Sequence, residues 1–255
     1  MKALAINGGA GRMGQILAGG LSALGHFTIG ALVDAREPGE LFGATYAASF
    51  EAVDANAIDV VVDFSSPEGV LASAQWCAAN GKGLVVGTTG LTDEQRQEVE
   101  ETATQVGVVI AANYSVGAVL SEKFAAMAAP YFDRVEIIEL HHDKKVDAPS
   151  GTSIAAAKGI AAARTAAGLP EMTDPTVRHT VSGARGADLI GGIKIHSVRL
   201  PGLVAHQEIL FGGPGEGLTI RHDSFDRLSF VQGVALAANA IDSTPRLIDG
   251  IESLI

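Results

Sequence analysis

The sequence is poor in several features that would point to particular classes of protein. Cys77 is the single cysteine among 255 residues, so no internal disulfide can form and a reducing cytoplasm is the expected location. Charged residues make up 18% of the chain and hydrophobic residues 47%, which argues against disorder. Lysine and arginine total 18 and the net charge is -11, so nucleic acid is not an expected partner. No run approaches the roughly 18 apolar residues of a membrane span, and the first residues do not resemble a secretory signal.

Short β-type runs alternate with helical runs through the first 112 residues. The predicted strands are ALAI (3–6), FTIGALVD (27–34), IDVVVDFS (58–65), GLVVGTTG (83–90) and VVIAANYS (108–115). The predicted helices between them cover 12–24, 67–80 and the charged segment TDEQRQEVEETATQVG. This alternation predicts an α/β domain with a doubly wound, Rossmann-like parallel sheet.

The pattern changes after residue 113. A predicted helix (116–129) and the strand RVEIIEL are followed by the alanine-rich helix SIAAAKGIAAARTAAG. Four β-type stretches without intervening helices come next, TVRHTVSG, GIKIHSVRL, LVAHQEILFG and GLTIRHD, and they indicate an α+β domain with an antiparallel or mixed sheet. A last helix, from Ser224 to about Ala240, is long enough to return to the first domain. We therefore predict one domain over 1–113, completed by 223–255, and a second over 114–222.

The segment GGAGRMG, residues 8–14, is the first candidate functional motif. It follows the first strand and opens the first helix, as a dinucleotide-binding turn does. Gly8 permits a tight turn, Gly11 lets the backbone approach a pyrophosphate, and Gly14 lets the helix pack closely. The spacing is G-x-x-G-x-x-G rather than the commoner G-x-G-x-x-G, and a plain glycine turn is the alternative. Asp34 ends the second strand, where a carboxylate would bind the ribose hydroxyls of a nicotinamide cofactor.

The residues around Asp34 bear on the choice of cofactor. A 2′-phosphate needs a nearby cation, which Arg12 or Arg36 could supply; for Arg36 a surface position without a ligand is the alternative. Asp34 itself would repel that phosphate. NADH is therefore expected to serve at least as well as NADPH.

Two further segments end strands at the edge of the sheet where cofactors bind. Gly87, Thr88 and Thr89 offer small, hydroxyl-bearing residues for a nicotinamide, and residues 111–115 (AANYS) end the fifth strand at the domain junction. Ligands of open α/β sheets bind outside the carboxyl ends of the strands. Without that position each segment would be an ordinary loop.

The segment ELHHDKKVDAPSGT, residues 139–152, places four basic side chains in an otherwise acidic chain. They are His141, His142, Lys144 and Lys145, and the Ser150-Gly151-Thr152 helix start behind them is a candidate carboxylate site. Histidine can donate a proton near neutral pH, and mutual repulsion among the cations should lower their proton affinity. Such a loop suits a small, negatively charged substrate that must receive a proton. A structural role would be the simpler interpretation of either histidine alone.

In their order along the chain, the motifs GRMG, DFS, GTTG, AANYS and HHDKKVDAPSGT resemble the 4-hydroxy-tetrahydrodipicolinate reductase family, also called dihydrodipicolinate reductases. The resemblance covers essentially the whole chain. It implies a Rossmann-like domain, a mixed α/β domain for substrate binding and tetramerisation, and a homotetramer. It also implies that the 4-hydroxyl of a small dicarboxylate is lost as water and the ring is reduced with NADH or NADPH, in the diaminopimelate route to lysine. No metal is expected.

The resemblance also implies roles for individual residues by their positions in the motifs. His141 corresponds to the proton donor and acceptor, and Lys145 to the proton-donating lysine. His142, Gly151 and Thr152 correspond to substrate contacts, and Arg227 matches a family arginine near the substrate more loosely. The implied cofactor contacts are Gly8, Gly9, Ala10, Gly11, Arg12, Met13, Asp34, Gly87, Thr88, Thr89, Ala111, Ala112, Asn113 and Tyr114.

The chain departs from its relatives at Ala35, where many have a basic residue directly after the acid, and at Tyr114, where phenylalanine is usual. The first departure puts strong use of NADPH in doubt. Two other functions stay open at this point. One is another two-domain NAD(P)-dependent dehydrogenase, although the nearest match to the Glu-Lys-Pro of one such group is Glu122-Lys123-Phe124. The other is a dinucleotide sensor without catalysis, against which the intact pair of His141 and Lys145 argues.

Overall fold

The structure, a computed structural model, describes residues 1–255 and divides the chain into two compact units. The first unit comprises Met1–Val116 and Arg227–Ile255, and the second comprises Gly117–Asp226. The boundaries predicted from the sequence lie slightly earlier in the chain. None of the helices is both long enough and apolar enough to cross a membrane.

The first unit is built on one seven-stranded sheet in the order β12-β6-β5-β4-β1-β2-β3. Its strands are β1 (Lys2–Asn7), β2 (Phe27–Val33), β3 (Thr45–Ala47), β4 (Val60–Asp63), β5 (Gly83–Val86), β6 (Gly107–Ile110) and β12 (Arg246–Asp249). Its helices are α1 (Arg12–Ala23), α2 (Pro67–Asn80), α3 (Asp93–Thr102) and α6 (Val231–Ala240). Every pairing is parallel. The predicted Rossmann-like parallel sheet is confirmed.

Local sequence explains why these elements form where they do. The strands β4, β5 and β6 are buried at every residue, as valine-rich strands covered by helices on both faces should be. Helix α2 begins after Ser66, whose side chain accepts a hydrogen bond from the Gly69 amide, and ends at Gly81 in a left-handed conformation. Helix α3 begins with a reciprocal capping box between Thr92 and Gln95.

The second unit has a five-stranded sheet in the order β11-β10-β7-β9-β8. Its strands are β7 (Arg134–His141), β8 (Ala187–Asp188), β9 (Lys194–Arg199), β10 (Ala205–Gly213) and β11 (Glu216–Ser224), and its helices are α4 (Val116–Ala128), which begins at the boundary, and α5 (Gly151–Ala166). Strands β7 and β9 are parallel and all other pairs are antiparallel, so the sheet is mixed, as expected. Apolar side chains of α4, α5 and the sheet form its core.

Two secondary-structure predictions are wrong. TVRHTVSG (176–183) forms no strand: Val177 is 99% exposed and Val181 66% exposed, so their alternation has no buried face to stabilise it. The last helix does not begin at Ser224, because that residue ends β11 and pairs with Ala205. A 3₁₀ turn over Arg227–Phe230 follows, and α6 begins only at Val231. Three short strands were not predicted, β3, β8 and β12.

Candidate functional site

The glycine turn after β1 has the close backbone packing that a dinucleotide-binding turn requires. Gly8 has φ +81°, and a Cβ there would lie 2.4 Å from the Phe64 carbonyl oxygen at the end of β4. A Cβ at Gly14 would lie 2.1 Å from the Gly8 carbonyl oxygen, so α1 could not approach the turn with any side chain at that position. The turn lies at the carboxyl end of β1 and next to the end of β4, where the strand order reverses and cofactors of such sheets bind.

The start of α1 leaves backbone donors for an anion. Gly11 is the N-cap and, having no side chain, forms no cap hydrogen bond with the first turn. The first intrahelical bond runs from the Gln15 amide to the Gly11 carbonyl, at 3.0 Å. Because the earlier amides of a helix have no intrahelical partner, those of Arg12 and Met13 fit the pyrophosphate of a dinucleotide.

Asp34 directly follows β2 and lies beside this turn. Its Oδ2 accepts a hydrogen bond from the Ala10 amide at 3.0 Å, and its Oδ1 accepts one from the Arg36 amide at 3.0 Å. The Arg36 guanidinium is 3.7 Å from the same carboxylate, although its side chain is 76% exposed. The turn and the end of β2 are therefore tied together, and each carboxylate oxygen retains lone-pair capacity for a ribose hydroxyl.

Asp63, which the sequence analysis did not single out, organises the neighbouring loops from a fully buried position. Its Oδ2 accepts hydrogen bonds from Asn7 Nδ2 (2.8 Å) and Ser73 Oγ (2.5 Å). Its Oδ1 accepts from the Ser65 amide (3.1 Å), Ser65 Oγ (2.8 Å) and Thr88 Oγ1 (2.7 Å). The carboxylate thus fixes the loop after β4 and the Thr88 side chain of the GTTG segment.

The remaining predicted cofactor residues lie at the ends of β5 and β6. Thr88, Thr89, Ala111 and Ala112 line a cavity of about 180 Å³ together with Gly90, Leu91, Arg96 and Ile110. A Cβ at Gly87 would lie 2.0 Å from the Phe64 ring, so any other residue there would require the ring to move. Tyr114 is fully buried and its hydroxyl donates to the Val86 carbonyl at 2.8 Å, which gives its polar atom a partner inside the unit. Asn113 Oδ1 accepts from the Ser115 amide at 2.9 Å.

In the second unit, β7 carries His141 at its end and the cationic loop follows. His141 is half-buried, whereas His142 and Lys144 are exposed. The Lys145 amide donates to the His142 carbonyl at 3.2 Å, which closes a turn and brings Lys145 back towards the strand end. The structure therefore places His141, His142 and Lys145 in one compact loop.

Two residues that the sequence analysis missed hold His141. Glu139 is 0% exposed, and its Oε2 lies 2.5 Å from His141 Nδ1. Arg199 on β9 donates two hydrogen bonds to the same carboxylate, one of 2.7 Å to Oε1 and one of 2.8 Å to Oε2. Glu139 and His141 are two residues apart on a strand and so share a face, a signal that was present in the sequence.

Burial lowers the pKa of His141 below its ordinary value, and the positive charges of Lys145 and Arg199 add to this effect. Glu139 opposes it by stabilising the imidazolium. Crowding of cations was the expected cause, but it is the smaller one. Burial alone would raise the pKa of Glu139, yet hydrogen bonds from Arg199, Ser197 and His141 bring it below its ordinary value.

Lys145 is paired with a carboxylate of its own loop. Its Nζ lies 2.8 Å from both oxygens of Asp147, and this ion pair lowers the pKa of the Asp147 carboxyl. Arg199 also donates to the Asp147 carbonyl at 2.8 Å, so hydrogen bonds from Arg199 connect Glu139 to the loop. An anionic ligand at Lys145 would compete with the Asp147 carboxylate.

Helix α5 begins directly after the loop. Ser150 is its N-cap, and Ser150 Oγ accepts the Ser153 amide at 3.2 Å. This cap leaves the Gly151 and Thr152 amides for an external anion. A Cβ at Gly151 would meet no protein atom within 4 Å, so the fold itself does not require glycine there.

Arg227 lies in the first unit, exposed, in the 3₁₀ turn before α6. The other predicted substrate residues belong to the second unit. No group of three or more histidine, cysteine, aspartate or glutamate side chains is arranged to hold a metal ion.

Comparison with known proteins covers nearly the whole chain. Residues 2–114 match the family model "Dihydrodipicolinate reductase, N-terminus", and residues 117–254 match "Dihydrodipicolinate reductase, C-terminus". The chain is 42% identical to the 4-hydroxy-tetrahydrodipicolinate reductase of Corynebacterium diphtheriae over 96% of its length and 95% of that protein. It is 45% identical to that of Mycolicibacterium gilvum, over 97% of this chain and 96% of that one.

A solved structure is similar over the full length of both chains. It is the dipicolinate-bound dihydrodipicolinate reductase from Paenisporosarcina sp. TG-14, at 39% sequence identity and a TM-score of 0.88. The first unit is a dinucleotide-binding domain, which supports a nicotinamide cofactor. The family that the motifs resembled is thereby confirmed: the chain belongs to the dihydrodipicolinate reductases.

Proposed function

We propose that this protein reduces 4-hydroxy-tetrahydrodipicolinate to tetrahydrodipicolinate with NADH or NADPH, with loss of water, in the diaminopimelate route to lysine. The observation that carries the proposal is the loop 139–152, in which a histidine held by a buried carboxylate lies beside a lysine and a helix start whose Gly151 and Thr152 amides have no intrahelical partner. Reduction of the ring requires a hydride, a proton and positive groups for two carboxylates. The nicotinamide cofactor, when bound, supplies the hydride.

His141 serves as the proton donor. Glu139 engages Nδ1, so Nε2 is the nitrogen that exchanges a proton with the substrate. The pKa of His141 is lowered in the free protein, but the charges of a bound dicarboxylate would raise it and favour the imidazolium where it is needed. Lys145 contributes a second proton and positive charge when the substrate displaces Asp147.

The substrate carboxylates are bound by His142 and by the Gly151 and Thr152 amides at the start of α5. Because a Cβ at Gly151 meets nothing inside the protein, we assign the glycine to the approach of a ligand rather than to the fold. That the similar enzyme from Paenisporosarcina binds dipicolinate, a planar dicarboxylate, supports such a site. Arg227 is assigned to the substrate on its family position alone.

The cofactor is bound by the glycine turn 8–13, Asp34, the GTTG segment and residues 111–114. NADH is expected to equal or modestly exceed NADPH, because Asp34 can accept bonds from the ribose diol but repels a 2′-phosphate. A charge-assisted contact is worth about 1.5–3 kcal/mol, so Arg12 or Arg36 could offset this repulsion only by reaching the phosphate. The guanidinium of Arg36 already lies near Asp34.

We propose a homotetramer and a cytoplasmic location as further parts of this function. The single cysteine is buried and unpaired, which suits a reducing compartment. Light scattering on the purified protein would test the tetramer.

The test of the function is oxidation of NADH that depends on substrate generated from pyruvate and aspartate semialdehyde. Absorbance should fall only when both precursors and the enzyme that condenses them are present, and pyridine-2,6-dicarboxylate should inhibit the reaction. Binding of NADH without turnover would identify a dinucleotide sensor instead.

A further inference from the structure

We propose that Glu139 is a positioning residue that selects the tautomer of His141 and stabilises its protonated form, and that Arg199 holds Glu139 in place. The inference rests on the proposed function, because it concerns the proton that His141 transfers in that reaction. Neither residue was among those that the sequence motifs assign to the site.

The geometry joins three residues of two neighbouring strands. Glu139 and His141 share one face of β7, and β9 runs parallel to β7 with Arg199 in register with His141. The Glu139 carboxylate is 0% exposed, 2.5 Å from His141 Nδ1, and held by both terminal nitrogens of Arg199. Since the fork of the guanidinium matches both carboxylate oxygens, the carboxylate has little freedom to turn away from the imidazole.

This contact fixes which nitrogen does the chemistry. A carboxylate accepts only, so Nδ1 carries a hydrogen and Nε2 is the nitrogen that exchanges a proton with the substrate. When the imidazolium donates, the proton leaves Nε2, the Nδ1–H bond to Glu139 remains, and the ring becomes neutral. Glu139 stays a carboxylate throughout, and its charge favours the protonated ring before transfer.

The charged groups that face His141 come from three directions. Glu139 lies on the same strand, Arg199 on β9 and Lys145 in the loop, while the partner of His141 on β10 is the uncharged Ala205. Glu139 is the only negative one among them. Removing its charge should therefore shift the protonation of His141 to lower pH.

The chain contains a matched control on the same strand. Glu136 also binds a histidine, with 2.8 Å from Oε2 to His196 Nε2, and an arginine, Arg185. This second group has the same three residue types but lies near the other end of β7, outside the loop 139–152. Glu136 is 32% exposed whereas Glu139 is fully buried, so the control matches the residue types, and the pH dependence of the rate rather than the stability separates the two.

The experiment compares Glu139→Gln with Glu136→Gln by measuring kcat and KM across neutral pH. Glutamine keeps the size of the side chain and removes its charge. For Glu139→Gln we expect kcat to fall about tenfold or more, with KM within about twofold. The limb on which the rate falls with rising pH should move about one unit lower. Glu136→Gln should keep the wild-type kcat and limb.

Wild-type kcat and limb in Glu139→Gln would overturn the inference, as would an equal shift in Glu136→Gln. If Glu139→Gln does not fold, Glu139→Asp keeps the charge at a shorter reach. Its kcat should fall several-fold with the limb nearer the wild-type position, and an unchanged kcat would overturn the inference. Absence of turnover in the wild type is a different result, since it would reject the proposed function itself.

Discussion

The buried Asp63 carboxylate offers the sharpest test of what holds the cofactor loops together. We consider Asp63→Asn, which preserves shape. The carboxylate accepts five hydrogen bonds, two of them from N–H groups, Asn7 Nδ2 on one oxygen and the Ser65 amide on the other. The Asn7 amide is held in this orientation because its Oδ1 accepts from the Gly8 amide and its Nδ2 also donates to the Gly69 carbonyl. Whichever way the new amide is turned, its NH₂ faces one of these N–H groups. The hydroxyls of Ser65, Ser73 and Thr88 can rotate and adapt.

The contact between the new NH₂ group and this N–H group sets the expected loss of stability. Both N–H groups keep another acceptor, Thr88 Oγ1 at 2.8 Å from the Ser65 amide and the Gly69 carbonyl at 3.1 Å from Asn7 Nδ2. The cost is therefore the loss of one charge-assisted hydrogen bond, about 1.5–3 kcal/mol, and the weakening of the others when the charge is removed. We therefore expect the free energy of unfolding of the first unit to fall by about 2–4 kcal/mol. Affinity for NADH should fall as well, because the group that fixes the Thr88 hydroxyl becomes either an uncharged acceptor or a donor.

The fluorescence of Trp76 reports on the unfolding of the first unit. It is the only tryptophan of the chain, and its ring lies 5.2 Å from that of Phe50 in the core beside α2. Urea unfolding followed by its fluorescence should show a lower midpoint with an unchanged slope. The matched control is Asp59→Asn, just before β4, where an exposed carboxylate accepts one bond from the Ala3 amide at 2.8 Å. Its change should stay within about 0.5 kcal/mol. Equal stabilities of the two variants would refute the reasoning.

Three further predictions concern the site and the thiol. His141→Ala and Lys145→Ala should each lower kcat about 100-fold or more with NADH affinity retained, because both side chains act in proton transfer. Steady-state kinetics and NADH titrations check this. Near-normal turnover in both variants would contradict the assignment. Ala35→Arg should shift kcat/KM towards NADPH by placing a cation beside Asp34; a wild-type preference for NADPH of tenfold, about 1.4 kcal/mol, would show that an arginine already reaches the phosphate. Burial raises the pKa of the Cys77 thiol. The thiol should therefore resist a thiol reagent at pH 8 until urea unfolds the protein. Rapid labelling of the native protein would contradict the burial of Cys77.

The parts of the fold that followed from the sequence are those with strong local patterns. A few residues are enough to predict valine-rich strands such as β4 and β5 and helices with clear caps such as α2. The strands that were missed have weak local signals: β3 has three residues and β12 is exposed along most of its length. Their pairing with β2 and β6 is a tertiary effect that propensity does not contain.

The site shows the same division between local and distant information. The motifs contained His141 and Lys145, and the strand period could have added Glu139, two residues from His141. Arg199 could not be found this way, because it reaches Glu139 from another strand, 60 positions further along the chain. The main cause of the lowered pKa of His141 was likewise hidden, since burial depends on the whole packed unit.

The first unit is assembled from both ends of the chain, and this has a consequence for biosynthesis. When the ribosome has made residues 1–226, the second unit is complete but the first still lacks α6 and β12. Strand β6 is then an unpaired edge, and the surface of α1 around Gly20, which Val231 will contact, is open to water. The inserted unit can therefore fold before the unit that encloses it in sequence. Nascent chains stalled short of Arg246 should consequently be the form of this protein that most needs protection by chaperones.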